Sequence, residues 1–152
     1  MTIYLGSDHA GVAHKQRLVD HLEHRGIQAV DLGPFSDSRV DYPDYAHAVA
    51  LEVLSENSDT LGVLICGSGN GINMTANKHE GIRSALCWTP EIASLARQHN
   101  NANILALPAR FISEDEAVEV LSAFLDSSFE GGRHDDRVEK IDIDFNEDSE
   151  VL

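Results

Sequence analysis

Residues 61–76, LGVLICGSGNGINMTA, set one thiol, Cys66, at the end of an apolar run and follow it with glycines at 67, 69 and 71. A β-branched apolar run that gives way to alternating glycines is a strand turning into a helix. Such a turn aims several backbone N–H groups at one point, and the positive end of the next helix adds to their field, so an anion or developing oxyanion is favoured there. The same field lowers the pKa of a thiol and makes it a base or nucleophile. The competing reading is a structural cysteine closing a buried strand, the usual fate of free cysteines. The turn alone leaves both open.

Three further segments hold groups capable of chemistry. GSDHAG at 6–11 puts Asp8 and His9 side by side, as acid, base or ligands for a sugar hydroxyl. The plainer alternative is that Asp8 caps the next helix and His9 is loop surface. On a helix over 90–99, His99 continues an apolar face made of Ile92, Leu95 and Ala96, and Asn100, Asn101 and Asn103 follow it, polar groups that need partners if buried. GGRHDDRV at 131–138 spaces Arg133 and Arg137 four apart with His134 between them, and Arg110 lies upstream. Guanidinium groups presented on one face suit bidentate phosphate binding, whereas the bland reading pairs them with Asp135, Asp136 and Glu139.

Other chemistries are disfavoured. In the glycine turn the sixth position of a dinucleotide fingerprint is Ile72, and the next strand ends on Cys87 and Trp88 with no acid. No Gly-Lys-Ser/Thr follows to make a Walker loop. Among the eight histidines, His21 and His24 are three apart but no third ligand lies near in sequence, so no metal is expected. A formal charge of -15 opposes nucleic acid and anionic membranes, because a phosphate backbone must meet a basic surface. A small anion is still admissible, since the three lysines and eight arginines stand out locally against the acidic background. No apolar stretch nears the roughly 18 residues that span a bilayer, and the chain begins on a strand with no leader. Two cysteines without ligand spacing read as reduced thiols, and the expected location is the cytoplasm.

These groups need a scaffold, and the pattern supplies one. Residues 2–5, 27–32, 61–66, 82–87 and 104–107 read as strands, alternating with amphipathic stretches near 11–25, 43–57, 70–79, 90–99 and 114–127. Thr89 before Pro90, Ser113 with Glu116, and Gly26 after Arg25 mark helix ends. Crossovers of this length force parallel pairing with right-handed connections, so the fold class is α/β, a three-layer α/β/α Rossmann-like sandwich on a five-stranded parallel sheet. Ligands in such sheets bind at the carboxyl ends of the strands, where Ser7, Asp8, His9, Asp31, Cys66 and Cys87 belong. One domain covers 1–140. The remainder, 141–152, carries five acids and no base and reads as a solvated tail.

GSDHAG, DYPDYA at 41–46, ICGSGNGI, ANK at 76–78, GIR at 81–83, RQHNNANILAL and EGGRHDDRV occur in this order over residues 3–140. The ordered set resembles the ribose-5-phosphate isomerase B family, whose relatives act on allose 6-phosphate or galactose 6-phosphate. The resemblance implies an aldose–ketose isomerase of pentose phosphate metabolism that needs no cofactor and no metal. Carried over by motif, Cys66 is the base between C1 and C2, and His99 opens the furanose ring. Asp8, His9 and Tyr42 contact the sugar, and Gly67, Ser68, Gly69, Asn70 and Gly71 hold the enediolate oxygens. Asn100 binds a hydroxyl; Arg110, Arg133 and Arg137, with His134, hold the phosphate. Ile72 stands where another branch has a glutamate base, which leaves Cys66 as the base in the turn. The resemblance also implies a homodimer with sites shared between chains. A non-catalytic sugar-phosphate module on the same scaffold is the alternative from another class; it would need the arginines and the turn but not Cys66 or His99.

Overall fold

Strands buried on both faces have no polar alternation, and two neighbours here show it: Thr60–Cys66 (β3), apolar after its first residue, and Ile104–Pro108 (β5) are buried at every residue. In the computed structural model, which describes residues 1–55 and 59–142, they are joined by Thr2–Ser7 (β1), Gln28–Asp31 (β2) and Ser84–Leu86 (β4). All pairings are parallel in the order β2-β1-β3-β5-β4, with Leu5 opposite Val63 and Cys66 opposite Pro108.

The helices are Val12–His24 (α1), Tyr42–Ser55 (α2), Asn70–Ala76 (α3), Pro90–Asn100 (α4), Glu114–Leu125 (α5) and the short Asp135–Glu139 (α6). Leu18, Leu22, Ala93, Ala96, Val120 and Phe124 from α1, α4 and α5 pack with Ile3, Val63, Ile65 and Leu105 on one face of the sheet. Ala46, Val49, Val53, Ile72 and Ala76 from α2 and α3 pack with Leu64, Cys66 and Ile104 on the other. These are the three layers the alternation predicts. Helix α2 approaches closely because its strands carry glycine there: a Cβ on Gly62 would lie 2.8 Å from Val49, and one on Gly6 would lie 2.9 Å from it.

The local end signals act as expected. Thr89 accepts from Ile92 N with Pro90 at the first position, Ser113 and Glu116 form a reciprocal capping box, and Gly26 takes φ +69 after α1. The helix expected over 70–79 stops at Ala76. Lys78 and His79 tighten to i−3 bonds, and the Asn77 amide bonds Ser84 N and O, drawing the chain into β4. The expected α4 face is also rotated. Ala93 and Ala96 are the buried residues and Ile92 is exposed, because the large side chains of α5 leave room for alanine only. Of the acidic tail, Asp142 accepts from Gly81 N; from residue 143 the tail lies outside the described residues, as does the expected end of the α2 stretch at 56–57. No helix among the described residues is long and apolar enough to cross a membrane.

Candidate active site

The strand order reverses between β1 and β3, and the crevice at such a switch lies outside the carboxyl ends of those strands. Asp8 follows β1 and Cys66 ends β3, held together by the Asp8 N–H donating to Ile65 O at 3.0 Å. Cys66 is 4% exposed and points to the α2/α3 side beside the fully buried Ile72. Asp8 is buried, and its Oδ1 accepts from Ala10 N at 2.9 Å to start a 3-10 turn over His9–Gly11. The capping reading of Asp8 is therefore realised at the very edge where a ligand would sit.

After Cys66 the chain needs glycine for two separate reasons. Gly69 adopts φ +74 as the cap of α3, where a Cβ would also meet Leu86 at 2.4 Å. Gly71 lies under the Tyr42 ring, whose carbon a Cβ would meet at the same 2.4 Å. The N–H groups of Gly67, Ser68 and Gly69 donate to no described residue, while Ser68 Oγ accepts from Asn70 N at 3.3 Å. Arg110 N–H donates to Gly67 O at 3.0 Å, and its guanidinium folds over Gly67, 3.2 Å from where a Cβ would be. Thiol, free donors, phenol and guanidinium thus share one edge. His9 joins them, its Nδ1 3.3 Å from Val40 O in the 32–41 loop.

That loop is anchored by a residue the motif reading missed. Lys15 is 1% exposed and donates to Asp31 Oδ1 at 2.5 Å and to Pro34 O at 2.7 Å, with Phe35 over its ammonium. Its spacing from Leu18 and Leu22 on the apolar face of α1 was the available signal. Asp31 also accepts from Gly33 N, so one buried ion pair ties α1, β2 and the loop together.

His99 and Asn100 lie elsewhere. Helix α4 starts at the carboxyl edge and returns to the amino end of β5, so about 16 Å of helix separates its last residues from the edge that holds Cys66. Their backbone is clasped there: Arg83 Nε donates to Asn101 O, Arg97 donates to Ala102 O, and Asn101 takes φ +48. Asn103, one of the polar groups that need partners, finds them in Arg83 N, from which its Oδ1 accepts, and Gly81 O, to which its Nδ2 donates, and is structural. Glu130 N donates to Gln98 O, which brings the segment bearing Arg133, His134 and Arg137 to the same end. His134 stacks on His99 at 4.4 Å, and burial, then the His99 ring and Arg133, hold its pKa below the ordinary value, so it is neutral near pH 7.

Arg17 and Arg25 pair with Asp115 and Asp126. Arg110, Arg133 and Arg137 form no ion pair with any described residue, although Asp135, Asp136 and Glu139 adjoin the last two. In a chain of net charge -15, unpaired arginines are free for an incoming anion. His99, Glu130 and His134 form one group of possible metal ligands. The two rings are only 14° from parallel, so their in-plane lone pairs do not converge on a common point.

One chain accordingly holds the candidate residues in two groups at opposite ends of its sheet, with thiol, donors and Arg110 in one and imidazoles, Asn100 and two arginines in the other. A family model for ribose/galactose isomerases matches residues 3–141. Ribose-5-phosphate isomerase B of Escherichia coli is 45% identical over 139 residues, covering 91% of this chain and 93% of its own. The crystal structure of a ribose 5-phosphate isomerase from Thermotoga maritima superposes with TM-score 0.90 at 46% identity, covering 93% and 97% of the two chains. Ribose-5-phosphate isomerase B from Mycoplasma genitalium, solved with bound ribulose-5-phosphate, gives TM-score 0.89 at 42% identity over 99% and 97%. Matched along nearly its whole length in sequence and in backbone, the chain belongs to the ribose/galactose isomerase family.

Proposed function

We propose that the protein interconverts ribose 5-phosphate and ribulose 5-phosphate in the cytoplasm as a homodimer, each site taking Cys66 from one chain and His99 from the other. The observation that carries the shared site is the division of the candidate residues between the two sheet ends. Exposed Leu51, Leu54 and Met74 on α2 and α3, and exposed Trp88 and Phe111, which line one pocket with Ser68 and Asn70, favour a partner of the same kind. Ring opening breaks the bond between C1 and the ring oxygen: a proton leaves the C1 hydroxyl, another arrives on the ring oxygen, and His99 exchanges them. The Cys66 thiolate then removes the C2 proton and returns it to C1, while a proton passes from O2 to O1. The free N–H groups of 67–69, with Asn70 and Gly71, meet the enediolate oxygens, where charge develops. Asp8, His9, Tyr42 and Asn100 hold the hydroxyls. Arg110, Arg133 and Arg137, with neutral His134, hold the phosphate.

The electron pair shifts within the substrate, so the reaction calls for no redox cofactor, and activity should survive exhaustive chelation. The family's breadth keeps a hexose 6-phosphate as the second reading. Turnover measured side by side on ribose 5-phosphate, allose 6-phosphate and galactose 6-phosphate decides it. A preference for either hexose would overturn the ribose assignment, and no turnover on any would leave a binding module.

A further inference from the structure

We propose that Glu130 is a positioning residue for ring opening: its carboxylate accepts the Nε2–H of His99, leaving Nδ1 as the nitrogen that exchanges protons with the sugar. Glu130 Oε2 lies 4.0 Å from His99 Nε2 and 3.7 Å from His134 Nε2, within reach of one nitrogen of each of two stacked rings. The His134 nitrogen is buried and has no hydrogen-bond partner, an arrangement that costs stability unless a nearby acceptor closes on it. A movement of about 1 Å by this half-exposed carboxylate brings both contacts to hydrogen-bond length. Its backbone is already fixed, since Glu130 N donates to Gln98 O in the turn that carries His99. Gly131 and Gly132, at φ +63 and +58, then fold the chain so that His134 returns over the same carboxylate.

The consequence is chemical as well as geometric. An imidazole left to itself populates both tautomers, whereas a carboxylate on one nitrogen selects one and fixes the ring plane. Around His134 the neighbours His99, Arg133 and Arg137 all disfavour a proton, and Glu130 alone favours one. Glu130 therefore offsets the cationic surroundings that a phosphate-binding end requires.

The proposal rests on the reading that His99 opens the ring, and the test separates the two. Ribulose 5-phosphate is an open chain, because its C5 oxygen is esterified and cannot close a ring. Exchange of its C1 hydrogen with deuterated water therefore reads proton transfer without ring opening. In Glu130→Ala, ribose 5-phosphate turnover should fall on the order of 10- to 100-fold, part of what a positioned acid–base group contributes, while C1 exchange stays within about twofold. Glu130→Gln, which keeps the shape but not the charge, should fall between Ala and wild type. His99→Ala is the control and should show the same split more strongly. If His99→Ala shows the split and Glu130→Ala does not, or if both of its rates fall together, the role of Glu130 is overturned. If His99→Ala itself leaves turnover unchanged, the reading beneath it fails.

Discussion

The two thiols of this chain differ in surroundings more than in sequence context. Cys87 directly follows β4 where Cys66 closes β3, yet it points to the α1/α4/α5 core, is fully buried, and has its pKa pushed up to about 12 by desolvation. The unfolded chain ionises this thiol from about pH 9, the folded chain only near 12, so stability is full below pH 9 and is lost as pH rises between them. The loss is on the order of 3–4 kcal/mol. Denaturant midpoints from pH 8 to 11 should fall more steeply in wild type than in Cys87→Ala, and parallel curves would refute the assignment. Cys66 lies beside unused N–H donors, and Cys66→Ala should lose turnover by on the order of 10³-fold while inorganic phosphate still binds. Wild-type turnover there would remove Cys66 as the base. The arginines give the third test at this scale. Arg133→Ala should weaken phosphate binding by about 1–3 kcal/mol with little change in melting temperature, and Arg133→Lys should not restore it, because the planar fork is lost. Phosphate titration with melting curves checks both. Cys66, Asp8, His9, His99 and the arginines stood out one by one from type and spacing, whereas Tyr42 entered only through the family resemblance. Glu130 stood in the quoted EGGRHDDRV run, four residues before His134, but a glutamate in an acidic chain stands out only when two imidazoles are seen beside it.

At the scale of elements, signals that act within one turn were readable and those that depend on a neighbour were not. The Thr89–Pro90 start, the Ser113–Glu116 box and the glycine after Arg25 are local hydrogen-bond and φ preferences, and all three are in place. Ser113→Ala removes one side of the box at the start of α5, a helix that carries none of the candidate residues. It should cost about 1 kcal/mol by thermal or denaturant unfolding with KM unchanged; a changed KM would mean that α5 reaches the site. The end of α3 and the facing of α4 were misjudged for the opposite reason. Asn77 stops α3 through Ser84, seven residues on, and the alanines of α4 face inward because α5 fills the layer beside them. Neither partner is visible in the helix's own periodicity.

The whole molecule decides whether the candidates form a site at all. With thiol and imidazole at opposite ends of one sheet, catalysis by both calls for two chains, and mixing tests this. Cys66→Ala and His99→Ala should each be inactive alone. Random reassortment of the two should recover about a quarter of wild-type activity, since half the dimers are mixed and each mixed dimer holds one intact site. No recovery on verified subunit exchange would place both residues in one chain's site. Composition, the order of strands and helices, their caps and the glycine turn follow from short-range chemistry, and the sequence alone determined them. Strand order, by contrast, depends on which buried surfaces meet across tens of residues. Because α4 runs back against the sheet, two groups 33 positions apart are carried away from each other rather than together. Only the tertiary structure could place Arg110 over Gly67, Lys15 beneath the 32–41 loop and His134 on His99, since each contact joins segments that no local preference links.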